Sequence, residues 1–221
     1  NKYSLLGAFR TVAQMVSYEI PMVLALLVPV LLGGTMGVNS LVSSQDVWYV
    51  IYAPIAAIIF FISSMAETGR APFDLLEAES ELVAGYQTEY SGLKFGMFYV
   101  GEFLHAFTIS ALSATLFLGG WRGPWAEQVP ALGVIYFFVK TFLVYFLVVL
   151  IRISMPRLRI DQMLNFNWKF LTPLGLVLLM VTAVVDKLLL ELLPTWNLST
   201  VGFTWVRAGV HLVVNVLILF G

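Results

Sequence analysis

The sequence predicts an all-α fold, a polytopic bundle of transmembrane helices interrupted by one strongly acidic loop. Three observations predict it. Hydrophobic residues make up 60% of the chain and charged residues only 11%, with a mean hydropathy of +0.90, whereas soluble domains carry about 25% charge. The apolar residues fall into stretches near the ~20 residues a helix needs to cross a bilayer. Between two of those stretches, six carboxylates (Glu67, Asp74, Glu77, Glu79, Glu81, Glu89) crowd into 23 residues, with only Arg70 and Lys94 as cations.

In chain order, the first span covers roughly Val12 to Leu32 and holds Glu19 and Pro21. The second covers roughly Val47 to Met65. The third, roughly Phe95 to Leu118, carries Glu102 and His105. The fourth, roughly Ala131 to Ile151, has Lys140 near its centre, and the fifth, roughly Phe170 to Leu192, has Asp186 and Lys187 near its end. Val201 to Phe220 is either a sixth span or an interfacial helix, with Arg207 and His211 as its polar residues. The whole of residues 1–221 reads as a single transmembrane domain without internal repeats, so an inverted-repeat transporter has no support.

The excess of Lys and Arg on the cytoplasmic side fixes the orientation of such bundles. With a cytoplasmic N-terminus, that side carries Lys2, Arg10, Arg70, Lys94, Arg152, Arg157, Arg159 and Lys169, against Arg122, Lys187 and Arg207 opposite. Both polar loops, Glu67–Lys94 and Arg152–Lys169, then share the cytoplasmic face. The opposite connections, Gly33–Ser40 and Gly119–Pro124, read as plain turns, with Trp48, Trp121 and Trp125 as interfacial anchors. A net charge of -1 offers nothing to nucleic acid, and with no cysteine this stretch holds no Cys-ligated cluster, zinc–cysteine site or disulfide.

Charges inside a span cost about 2.5–3.5 kcal/mol each on insertion scales, so each needs a reason. Glu19 precedes Pro21, whose missing N–H opens the local backbone ladder; it either lines a polar pocket or snorkels to the near surface. Glu102 and His105 share a helix face, either to pass protons or as a pair that satisfies itself. Lys140 is too deep to snorkel, which predicts an acidic partner on another helix. Asp186 and Lys187, near a span end, read as solvated.

In the acidic loop, Asp74, Glu77 and Glu81 follow i, i+3, i+7 spacing, as do Glu67, Arg70 and Asp74, so each set forms one stripe if helical. Crowded carboxylates raise one another's pKa, which suits a proton relay; an ordinary solvated acidic face is the plainer alternative. In the second loop, Arg152, Arg157, Arg159 and Lys169 serve topology, while Arg159 and Asp161 either hold the loop together or meet a docked soluble partner.

Four stretches carry a family resemblance: AETGRAPFDLLEAESELVAGYQTEYSG from Ala66, AFRTVAQMVSYEIP at Ala8–Pro21, the glutamate of GEFLHAF at Gly101–Phe107, and MPRLRIDQ at Met155–Gln162. Together they resemble the H subunit of bacterial respiratory complex I, the homologue of mitochondrial NADH dehydrogenase subunit 1, over most of the chain to about Leu192. Gly69 replaces the family's usual Asn and Leu76 its usual Pro; neither removes a charged residue.

The resemblance implies about eight spans, of which these would be the last five, with about three more before Asn1 and an extension after Val201. It implies a membrane subunit of a proton-translocating NADH:quinone oxidoreductase in the bacterial inner membrane. Glu67, Arg70, Asp74, Glu77, Glu79 and Glu81 would line a funnel beside the quinone cavity. Glu19, Glu102 and Lys140 would continue a proton path, and Arg157, Arg159 and Asp161 would face the peripheral arm. Quinone (menaquinone or ubiquinone) would be the substrate. FMN and iron–sulfur clusters would sit on partner subunits, and small membrane subunits would lead on to antiporter-like ones. A stand-alone cation/proton transporter built on Glu19, Glu102 and Lys140 explains the buried charges but not the long motif. A homologous subunit of a ferredoxin-dependent or hydrogenase complex shares the motif in diluted form.

Overall fold

The computed structural model describes residues 2–69, 72–73, 90–126, 128–156, 158–192 and 200–220, and among these the only regular elements are helices. The helices are α1 (Lys2–Gly33), α2 (Val38–Ser43), α3 (Tyr49–Tyr52), α4 (Pro54–Glu67), α5 (Leu93–Phe117), α6 (Pro130–Ser154), α7 (Ile160–Phe166), α8 (Thr172–Leu192) and α9 (Thr200–Phe220). A π-helical turn, Asn167–Leu171, joins α7 to α8. Among the described residues, five helices are long and apolar enough to cross a membrane: Leu5–Gly33, Leu93–Phe117, Pro130–Ser154, Ile160–Glu191 and Gly202–Leu219. The C-terminal stretch therefore qualifies as a full span.

The second expected span does not qualify. Helix α4 has 14 residues, about 21 Å at 1.5 Å per residue, short of a hydrocarbon core of about 30 Å. The cause is Pro54. A residue before proline is pushed out of the helical region, and Ala53 sits at φ -138°, ψ 69°. Pro54 is then favourable as the first residue of α4 because it has no N–H to leave unpaired. The one-turn helix α3 lies on the other side of the break.

Helix α1 packs against α4 and α8, α5 packs against α6, and α9 closes against α3 and α8. Ala25 and Val28 of α1, Ile55 and Ile59 of α4, Phe117 of α5 and Leu178 of α8 are buried in one apolar core. A second, smaller cluster holds Tyr18, Met65, Ala66, Phe73 and Met163. Helix α6 leaves Val134, Phe138, Phe142 and Phe146 exposed. Such an apolar face on a spanning helix suits lipid or a neighbouring helix, not water.

The connection after α1 is more than a plain turn. It contains α2, whose Leu41 and Val42 are buried, and it delivers Gln45 to the end of α5. There Gln45 Nε2 donates to the carbonyls of Thr115 and Leu116 at 3.1 and 3.0 Å, two acceptors that a helix end leaves without an intrahelical partner. The second polar loop is also shorter than expected. Helix starts at Ile160 and runs through the π turn, where the Thr172 hydroxyl donates to the Asn167 carbonyl five residues back.

Candidate functional site

The two polar loops meet at one end of the bundle. The Leu158 N–H donates to the Pro72 carbonyl at 2.9 Å, tying the loop after α6 to the chain after α4. Gln14, buried in α1, reinforces the join: its Nε2 donates to the carbonyls of Ala66 (2.7 Å) and Phe73 (3.2 Å). One amide thus satisfies a carbonyl at the C-terminal end of α4 and holds Phe73 against α1.

Glu67 is the last residue of α4. A carboxylate is unfavourable at that end of the helix dipole, and a partner from α5 offsets it: His105 Nε2 lies 3.3 Å from Glu67 Oε1. Their side chains are 44% and 23% exposed, respectively. His105 therefore reaches across to Glu67, rather than pairing with Glu102 as its helical spacing suggested. Shared spacing puts two residues on one face but does not choose between a neighbour along the helix and one across the interface. Glu102 is half-buried on α5, and Glu19 is exposed beside the buried Tyr18 on α1. Arg159 and Asp161 are exposed at the start of α7. Gln162 Oε1 accepts from the Arg159 N–H at 3.2 Å, and Asp161 in the first turn suits the dipole. Arg70, Asp74, Glu77, Glu79, Glu81 and Arg157 lie outside the described residues.

Lys140 is not with these groups, and its partner is not an acid. Its Nζ donates to the carbonyls of Leu118 (2.7 Å), Gly120 (3.1 Å) and Arg122 (2.8 Å), and lies 5.1 Å from the centre of the Trp48 ring. The turn after α5 presents these oxygens together because Gly119 and Gly120 adopt φ of +74° and +50°, a region that glycine enters without strain. Three carbonyls and an aromatic face can satisfy an ammonium without a countercharge.

Asp186 also differs from expectation. It is buried, not solvated. Its Oδ1 accepts from Arg207 Nε at 2.7 Å and Nη2 at 2.5 Å, and lies 3.2 Å from His211 Nε2. The sequence signal for this cluster was the spacing of Arg207, His211 and Asn215 at i, i+4, i+8, one face of α9. Among the described residues no group of three or more His, Cys, Asp or Glu side chains could hold a metal ion.

Fold and site together define a class: a polytopic helical membrane protein in which the chain after α4 and the loop after α6 join at one end of the bundle and charged side chains are buried elsewhere. Residues 1–183 match the family model for NADH dehydrogenase, and the chain belongs to that family. It is 45% identical over 221 residues to the H subunit of NADH-quinone oxidoreductase from Dehalococcoides mccartyi strain CBDB1, covering 100% of this chain and 57% of that protein. The corresponding H subunit from Anoxybacillus flavithermus is 46% identical over 190 residues, 85% of this chain and 56% of the relative. An H subunit from Geobacter metallireducens is 46% identical over 183 residues, 82% and 54%. The chain thus spans little more than half the length of these relatives.

Proposed function

We propose that this chain is part of the membrane subunit of a complex I-type NADH:quinone oxidoreductase, and that its acid end borders the quinone cavity and begins a proton path. The observation that carries the reading is the meeting of Glu67, the join between the two polar loops, and the start of the acidic motif at one end of the bundle. Glu67, Arg70, Asp74, Glu77, Glu79 and Glu81 would line the funnel. Glu19 and Glu102 would carry protons onward, with Lys140 at the far end of the route. Arg157, Arg159 and Asp161 would face the soluble arm. The complex would lie in the bacterial inner membrane with both loops cytoplasmic. Menaquinone or ubiquinone would be the substrate. Flavin and iron–sulfur chemistry would belong to partner subunits, and further small membrane subunits would lead to antiporter-like ones.

Half-exposed charges suit this reading. The Glu67–His105 pair is neither sealed nor fully solvated, so a docked subunit or a quinone headgroup could reach it. A stand-alone transporter relaying between Glu19, Glu102 and Lys140 is less well supported, because it leaves the long acidic motif without a role.

The test uses the assembled complex in native membranes. Glu67→Gln, Glu77→Gln and Glu81→Gln should each lower NADH:quinone reductase activity and the accompanying proton translocation at least about tenfold, a floor below the roughly 10²–10⁴-fold typical of proton-transfer groups. Wild-type turnover and pumping in all three variants would overturn the reading.

A further inference from the structure

The break between α3 and α4 frees backbone groups inside the bundle. In a continuous helix the Tyr52 carbonyl would accept from the N–H of Ala56, four residues on. Ala53, at φ -138° and ψ 69°, turns the backbone out of that ladder, and Pro54 brings no N–H for the Val50 carbonyl. Tyr52 and Ala53 are both buried, in the main apolar core. In a bilayer no water is at hand there, so a freed carbonyl must find its donor within the protein.

The donor comes from α9. Asn215 is buried, and its Nδ2 donates to the Tyr52 carbonyl at 3.1 Å and to the His211 carbonyl of its own helix at 2.9 Å. An amide NH2 has two hydrogens, and two carbonyls take both. Tyr52 returns the contact, its hydroxyl donating to the Thr204 carbonyl of α9 at 3.1 Å. A second carbonyl is met in the same way. Leu32 stands one residue from the end of α1, among the acceptors that a helix end leaves without an intrahelical partner. Arg207 Nη2 donates to it at 3.2 Å while Nε is held by Asp186 of α8 at 2.7 Å. Arg207 and Asn215 are eight residues apart and so share one face of α9.

We propose that α9 seals the backbone openings of the core, with Asn215 as the residue that allows the α3–α4 stretch to be interrupted inside a bilayer and Arg207 as its counterpart at the end of α1. Helix α9 lies beyond residues 1–183, which the family model matches, and is itself apolar enough to span a membrane. Polar side chains on the inward face of such a helix are costly, and the two carbonyls they reach give the reason. A packing contact alone would be met by a leucine of similar size; the seal requires an N–H. Helix α4 ends in Glu67, so Asn215 is also a positioning residue for that carboxylate. This last step rests on the function proposed above, whereas the seal does not.

The test compares wild type, Asn215→Leu, Pro54→Ala and the double variant in the assembled full-length complex. Leucine keeps the bulk and loses the donor. Hydrogen-exchange protection of peptides covering α3 and the first turn of α4 should fall about tenfold in Asn215→Leu, as expected for one bared carbonyl. Alanine at position 54 restores the N–H and lifts the restriction on Ala53, so α3 and α4 can join and the Tyr52 carbonyl can pair with the N–H of Ala56. Asn215→Leu made in the Pro54→Ala background should therefore change protection by less than about threefold. Unchanged protection in Asn215→Leu, or the same loss in both backgrounds, would overturn the proposal. Where Asn215→Leu alone yields no complex, Pro54→Ala should restore assembly, and its failure to do so would count equally against the seal. Wild-type activity in Glu67→Gln would remove only the step to Glu67 and leave the exchange result standing.

Discussion

The polar end around Glu67 and the cluster around Asp186 treat the same chemistry in opposite ways. Both set a carboxylate against a histidine at close range, 3.3 Å for Glu67–His105 and 3.2 Å for Asp186–His211. At Glu67 the two groups stay partly exposed and share no further ion pair among the described residues. At Asp186 a guanidinium joins them, and the Leu32 carbonyl and the Tyr52 ring lie against that guanidinium. The open pair contributes little to stability, since water competes for it. The closed cluster is the reverse: its net worth to the fold is modest, but losing one partner strands a buried charge. Open charge can respond to a docking subunit or substrate; closed charge holds helices in place.

The largest effect that would test this contrast is at Asp186. Asp186→Asn leaves Arg207 without its countercharge and should cost about 3–5 kcal/mol of stability. Thermal unfolding of the detergent-solubilised protein would show it as a large drop in Tm. Asp186→Asn combined with Arg207→Gln should recover most of that loss, because the double variant has no stranded charge. Additive losses would break the distinction between the regions.

Lys140 sharpens the comparison as an intermediate case. Lys140→Met removes one ammonium and leaves the carbonyls of Leu118, Gly120 and Arg122 to find other donors, so about 2–3 kcal/mol should be lost. Activity of the surviving complex should fall less than in Glu67→Gln. The smallest stability effect is at the open pair. Glu67→Gln and His105→Asn should each change stability by less than about 1 kcal/mol, while Glu67→Gln strongly lowers quinone reductase activity. A several-kcal/mol loss from either would place the open pair among the structural ones.

Much of this was legible in the chain. Hydropathy and the low share of charge pointed to the all-α membrane class, and four of the five expected spans match long apolar helices of the structure. The positions of the expensive charges were legible as well. The interruption at Pro54 was written in the sequence, but the apolar run from Val47 to Met65 outweighed it. Gln14 and Gln45 carried no signal, because a glutamine that satisfies a helix end looks like any other until the end it meets is known.

The sequence by itself determined the helices, the order of polar residues along them, and the family to which the motifs belong, since local periodicity and composition are properties of a single segment. Only the tertiary structure decided which charges meet. It matched Glu67 with His105, Lys140 with three carbonyls, and Asp186 with Arg207 and His211. The physical reason is that helical spacing fixes the face on which a residue lies, whereas a partner is chosen by which helix packs against that face and at what depth. That choice depends on the packing of the whole bundle.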